Sequence, residues 1–403
     1  MTIINSDSSN IDFSGNDTSS NTCSSNRVSK KAVQPSSSAQ SATQVQRDNL
    51  TQPILVDEDR PLNQANYLLH RFEPATALFT YIKTSQPKLN AASFIDGRED
   101  FSVDKTCYQV PAAQIVSSFT ANETPFARFI FHIGFCGSTL MAKTLAYHQA
   151  KVLCYKEPQV LIDLAELKAT NHLLYRQTAS WQRYITFTLQ QLAKRFTAEQ
   201  QVVIKPSNWA NSLLPDLAAL IPGSRAVFMS MPKQAYLVAI FRGGKERIAF
   251  IYRLRAHLLR VLPEYQSLAV KIDNSGQDIL WQVAKSCLLV YRLQHLLFSR
   301  AQQLLPSKQW QTLDYQEFVN TPHETLLQVN NTLQLGLTSN ELELAQAASF
   351  QRHAKAPSES YQSSEKTTID EQVYAYYQDA IEVSLTWDAN LNHELTDARQ
   401  QIA

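Results

Sequence analysis

The sequence has no excess of either charge. Its 37 Lys and Arg residues against 36 Asp and Glu leave a formal charge of +1 over 403 residues. A broad basic face is therefore absent, which excludes a dedicated nucleic-acid binder. Paired cysteines are also lacking. Cys23, Cys107, Cys136, Cys154 and Cys287 are scattered, odd in number and without CxxC spacing, so they read as reduced thiols rather than a disulfide framework. No charged-then-apolar leader opens the chain. No stretch approaches the roughly 18 apolar residues of a membrane helix. A soluble cytoplasmic protein without a membrane span is expected. No repeat recurs at a fixed period.

What is present is enough for a sizeable core, since 44% of residues are hydrophobic. The first 50 residues, rich in Ser, Asn, Thr and Gln, cannot bury enough surface to offset their ordering entropy and read as a disordered tail. Residues 51–125 read as an N-terminal extension packed on the main domain. Within it NYLLHRFEPATALFTYI suggests a helix and a strand, and nothing there points to chemistry. From residue 126 to 403 short apolar runs alternate with helical stretches. The runs are 128–133, 151–155, 201–204, 225–230 and 309–314. The helical patterns cover 137–149, 158–169, 181–197, 209–220, 233–241, 247–262 and 278–304. Strands alternating with helices predict βαβ units, and near-continuous apolar strands predict a mostly parallel sheet covered on both faces. The expected fold is a three-layer α/β sandwich.

In such sheets ligands sit beyond the carboxyl ends of the strands, so the residues just after each run matter most. After the first run comes Gly134-Phe135-Cys136-Gly137-Ser138-Thr139 and then a helix. A glycine turn feeding a helix offers unsatisfied amides and the positive end of the helix dipole to an anion. The Gly-Lys of a nucleoside-triphosphatase loop is missing, so ATP or GTP hydrolysis is not its natural reading. A tight turn holding no ligand is the plain alternative. Cys136, at the helix start, is read as a small packing residue rather than a nucleophile, because no histidine is spaced to serve it.

After the second run stand Glu157 and Pro158, and Glu157 is either an acidic helix cap or a general base. After the third stands Lys205, either a solvated lysine or a group that meets negative charge on a leaving oxygen. After the fourth come Ser230, Pro232 and Lys233. The fifth leads into DYQEFVNTPHETLLQVNNTLQLGL.

These segments, in this order over about 127–360, resemble the sulfotransferase family, as a divergent bacterial-type member. IGFCGSTLMAKTLA is similar to that family's 5′-phosphosulfate loop, with Gly137, Ser138, Thr139 and Leu140 matching and Phe135 standing where the family has a cation. YKEPQVL resembles the segment of the catalytic glutamate in glycan-type members, and VVIKPSNW the segment of the catalytic lysine. SMPKQAYLV resembles the element that binds the 3′-phosphate, but Ser230 replaces its arginine and Val238 its serine. Arg242, Lys245 and Arg247 are the nearest cations to take that place, and the basic loop with Arg352, His353 and Lys355 resembles one that closes over the 3′-phosphate.

The resemblance implies a P-loop-like fold and 3′-phosphoadenosine-5′-phosphosulfate (PAPS) as co-substrate, with no metal. It implies Glu157 and Lys205 as catalytic residues. Gly134 through Thr139, Ser230, Lys233, Arg242, His353 and Lys355 would bind the donor. The acceptor would be a small molecule or glycan-like hydroxyl or amine. An atypical kinase on the same scaffold and a non-catalytic nucleotide-binding relative are the alternatives.

Overall fold

The sheet that organises the molecule has five strands, all parallel: β5 (Arg128–His132), β6 (Val152–Lys156), β7 (Gln201–Lys205), β8 (Arg225–Ser230) and β9 (Trp310–Asp314). Their spatial order is β6-β7-β5-β8-β9. The computed structural model describes residues 54–55, 64–113, 116, 126–350, 352–353, 356–360 and 363–400. All of them belong to one compact unit, Gln46–Ala403. The proposed tail 1–50 lies outside the described residues.

The central strands are buried along their length because their apolar residues face helices on both sides. Phe129, Phe131 and Phe228 stack from β5 to β8 through this core. Each strand lies within one or two residues of its expected position. The helices between and after them lie where expected, with ends that differ by up to five residues: Ser138–Leu145, Gln159–Ala169, Thr178–Leu192, Lys233–Arg242, Gly244–Val261 and Ile279–Gln302. The expected helix 209–220 divides into a 3-10 turn, Asn208–Leu213, and a helix, Leu214–Leu220, that starts where Pro215 can occupy its first turn.

The segment read as a helix and a strand is instead a β-hairpin. Strands β2 (Tyr67–Glu73) and β3 (Leu78–Thr84) pair antiparallel. With β4 (Ser102–Pro111) and the short β1 (Ile54–Leu55) they form a second sheet of order β1-β4-β3-β2. Its strands carry β-branched and aromatic residues that suit a pleat better than a helix, and the turn is made at Ala77, whose φ is +53°. This sheet is tied to the helix Gln159–Ala169, because the Phe72 amide donates to the buried Asp163 carboxylate at 2.9 Å. Among the described residues no helix is long and apolar enough to cross a membrane.

Candidate active site at the carboxyl edge of the parallel sheet

The chain leaves β5 toward β6 and β7 on one side and returns to β8 and β9 on the other, so β5 is the switch point of the sheet. The loop 134–137 begins there. Gly134 donates its amide to His132 Nδ1 at 3.1 Å. Gly137 lies in the left-handed region at φ +74°, and a Cβ on it would stand 2.7 Å from the Tyr315 ring. Only glycine suits both conditions. Ser138 and Thr139 open the helix and are mostly buried. Among the described residues no backbone carbonyl accepts from the amides of Phe135, Cys136, Gly137, Ser138 or Thr139. Cys136 is fully buried, and its thiol lies 3.5 Å from the Met229 carbonyl. Burial pushes it up to about 11, so it is a packing thiol that ties the loop to β8.

Phe135 stands at the position where a cation was expected, with φ +61°. Its ring lies under the guanidinium of Arg247, 4.9 Å from the ring centre. Arg247 comes from the helix Gly244–Val261 and donates to the Ala239 carbonyl. Its side chain runs through the space that a Cβ on Gly243 would fill. A positive charge therefore does reach this loop, delivered from another helix.

Glu157 and Lys205 end neighbouring strands and meet in the interior. Lys205 Nζ lies 2.5 Å from Glu157 Oε1, and the Glu157 amide donates to the Lys205 carbonyl at 2.6 Å. Lys205 is completely buried, and Glu157 is nearly so. Lys205 is thus not a solvated lysine, and Glu157 does not cap the following helix, whose N-cap is Pro158 with no side-chain cap bond. Glu157 adopts φ +60°, which a residue with a Cβ holds at a cost of about 1–2 kcal/mol. His132 Nε2 lies 3.8 Å from the same carboxylate oxygen. His132 Nδ1 accepts from Gly134, so its other ring nitrogen, Nε2, is the one that faces Glu157. Burial would raise the Glu157 carboxyl, but Lys205, His132 and Arg98 outweigh it and hold it at about 2.

Arg98 was not anticipated from the sequence. It donates to Glu157 Oε2 at 2.6 Å, also holds Asp96, and lies 3.8 Å over the Phe94 ring. It is carried by the loop between the helix Gln86–Ala91 and β4. That loop is fastened over the end of β6: the Ile95 amide donates to the Lys156 carbonyl at 2.8 Å, and buried Lys156 donates to the Asn90 carbonyl at 2.9 Å. Lys143 reaches Ser93 of the same loop at 2.8 Å. The charged turn Asp96-Gly97-Arg98 was the one signal available, and nothing in its spacing pointed to Glu157.

The other expected donor-binding residues lie past β8 and are engaged elsewhere. Ser230 Oγ lies 2.8 Å from His295 Nε2. Lys233 pairs with the buried Asp388 at 2.6 Å, and Arg292 holds the same carboxylate. Arg242 pairs with Asp370. Both aspartates belong to the long C-terminal helical segment Ser363–Gln400. Lys355 and the side chain of His353 lie outside the described residues. The structure thus gathers Gly134–Thr139, Glu157 and Lys205, adds Arg98 and Arg247, and ties Lys233 and Arg242 to the C-terminal segment.

No family model matches the sequence, and no curated protein matches it. Solved structures do match. The sulfotransferase domain from the curacin biosynthetic pathway is 14% identical, covering 62% of this chain and 89% of that domain at a TM-score of 0.33. The sulfotransferase domain from the Synechococcus PCC 7002 olefin synthase is 13% identical, covering 66% of this chain and 96% of that domain at a TM-score of 0.36. The sulfotransferase from Alicyclobacillus acidocaldarius is 13% identical, covering 66% of this chain and 97% of that one at a TM-score of 0.30.

Proposed function

We propose that the protein is a sulfotransferase-like enzyme that moves a sulfuryl group from PAPS to a hydroxyl or amine of a small acceptor. One observation carries this reading: a buried carboxylate–ammonium pair, Glu157 and Lys205, stands 2.5 Å apart beside a glycine loop whose amides have no backbone acceptor among the described residues. A base, a cation and an anion cradle at one sheet edge are the parts that in-line transfer of a charged group needs.

The loop amides and Ser138 and Thr139 would hold the 5′-phosphosulfate, with Arg247 supplying the charge that Phe135 lacks. The acceptor displaces Arg98 from Glu157, and the donor draws Lys205 away from it. Both exchanges remove cations from the carboxylate and make it a stronger base. Glu157 then takes the acceptor proton while the acceptor heteroatom bonds to sulfur. The bond from sulfur to the bridging phosphate oxygen breaks, its electron pair stays on that oxygen, and Lys205 meets the charge there.

A second reading, a nucleotide-binding protein without transfer, is favoured by the ion pair between Arg98 and Glu157, which occupies the would-be base. Thermal unfolding with 3′-phosphoadenosine-5′-phosphate, and separately with ATP and Mg²⁺, tests both readings. A ligand at 100 times its Kd adds about 2.7 kcal/mol. The transfer reading expects stabilisation by the bisphosphate alone, lost in Lys205→Ala and reduced in Ser138→Ala, and turnover of PAPS that Glu157→Gln abolishes. Stabilisation without turnover for any hydroxyl or amine offered supports the second reading. Stabilisation by ATP alone points to a kinase-like protein and overturns the first.

A further inference from the structure

A separate cleft of about 590 Å³ opens between the helices Gly244–Val261 and Gln266–Asp273. Its volume suits a small organic ligand. Its apolar lining is made by Trp209, by Ala256 and Leu259 of one helix, and by Ala269 and Val270 of the other. The Trp209 ring is rigidly held there. Its indole N–H donates to Glu166 at 2.6 Å, and its ring packs on that of His257, 4.7 Å between centres. The rest of the lining carries three arginines and a single carboxylate, Asp273.

The arginines differ in what engages them. Arg255 makes a two-pronged pair with Asp273 between the two helices and lies over Tyr252. Arg260 touches Glu166 at 3.2 Å through one nitrogen, and that carboxylate already accepts from Trp209 and faces His257. Arg253 is exposed and has no carboxylate partner among the described residues. A flat aromatic wall beside guanidinium groups with spare donors matches a ligand that is apolar at one end and anionic at the other.

We propose that this cleft binds a small organic anion with an apolar body, of the aryl or alkyl carboxylate or sulfonate class. Such binding does not depend on sulfuryl transfer. The two sites are linked through one helix. Glu166, which holds Trp209 and Arg260 of the cleft lining, lies on the helix Gln159–Ala169 that begins two residues after Glu157.

The test uses the full chain and two probes of nearly the same shape. 8-Anilinonaphthalene-1-sulfonate is anionic, and N-phenyl-1-naphthylamine is neutral. Fluorescence titration is expected to give one saturable site for the sulfonate and at least tenfold weaker binding of the neutral amine. Arg253→Glu is expected to weaken the sulfonate at least tenfold with unchanged unfolding temperature. Arg260→Gln serves as the independent variant. Absence of saturable binding, equal affinity for the two probes, or unchanged affinity in both variants overturns the proposal. Stabilisation by 3′-phosphoadenosine-5′-phosphate, measured on Arg253→Glu, reports on the transfer site alone and separates the two failures.

Discussion

The carboxyl edge of the parallel sheet divides into two regions built on opposite terms. Beyond β5 and β6, Gly134, Phe135, Gly137 and Glu157 all take positive φ, and the carboxylate and ammonium that meet there come from adjacent strand ends. Beyond β8 and β9 no residue turns to positive φ until Gly244 and Gln334. The cations there are matched by aspartates from a segment more than a hundred residues further along, at Asp370 and Asp388. Backbone strain persists only where its surroundings over-determine it, and it concentrates where chemistry or binding needs a fixed geometry. In the first region Phe135 and Glu157 carry such strain, while Gly134 and Gly137 reach the same φ range without it. The second is a set of settled contacts that fasten the C-terminal segment.

The largest effect that separates the regions is expected from Lys205→Ala. It leaves Glu157 buried without its closest cation, facing Arg98 and His132, so urea unfolding should show a loss of about 3–5 kcal/mol. The double variant Glu157→Gln/Lys205→Ala should lose less than the sum of the singles, because the two residues act as a pair. An additive result would mean the pair contributes nothing jointly.

Gly137→Ala comes next. It must accept both φ +74° and the Tyr315 ring 2.7 Å from its new methyl, whereas Gly276 has φ +65° with nothing within 4 Å. The first substitution should cost about 2–4 kcal/mol and the second about 1–2. Equal losses would show that the ring moves aside freely.

Acid titration sharpens the contrast. Glu157 is held at about 2, below its ordinary 4.5, so its contribution is present above pH 4.5 and lost as pH falls through 2. His295, beyond β8, is lowered by burial, then by Lys233, to about 4 from 6.5; its contribution is present above pH 6.5 and lost as pH falls through 4. The stability difference between wild type and His295→Gln should shrink between pH 6.5 and 4. The difference between wild type and Glu157→Gln should shrink between 4.5 and 2. Coincident windows, with both differences shrinking over the same pH range, would erase the distinction between the regions.

The smallest effect is expected from Asp370→Asn. Its pair with Arg242 is partly exposed, so the loss should stay below about 1 kcal/mol by chemical denaturation. A larger loss would make the C-terminal segment more than a settled contact.

The five strands were legible because each is a short run closed by a change of rhythm, and the strand ends then drew attention to Gly134–Thr139, Glu157 and Lys205, which the fold brings to one edge of the sheet. The β2–β3 hairpin was misread because Tyr67–Glu73 mixes apolar and charged residues without clean alternation, both of its faces being largely covered. Arg98 escaped because it reaches the site through a loop of the other sheet, a contact spanning 59 residues that no local spacing encodes. Lys233 and Arg242 were visible as cations, but their partners Asp388 and Asp370 lie 155 and 128 residues away, beyond any periodicity. Phe135 was legible as a missing charge. Its replacement by Arg247 depends on a helix crossing and on the open space at Gly243, which become apparent only in the fold.

The most direct measurement is a crystal structure of the protein soaked with 3′-phosphoadenosine-5′-phosphate. The transfer reading predicts a phosphate seated on the amides of residues 135–139, with Lys205 Nζ turned from Glu157 toward it and Arg247 within reach. An empty loop with Lys205 still on Glu157, or the nucleotide bound at another edge of the sheet, would contradict it.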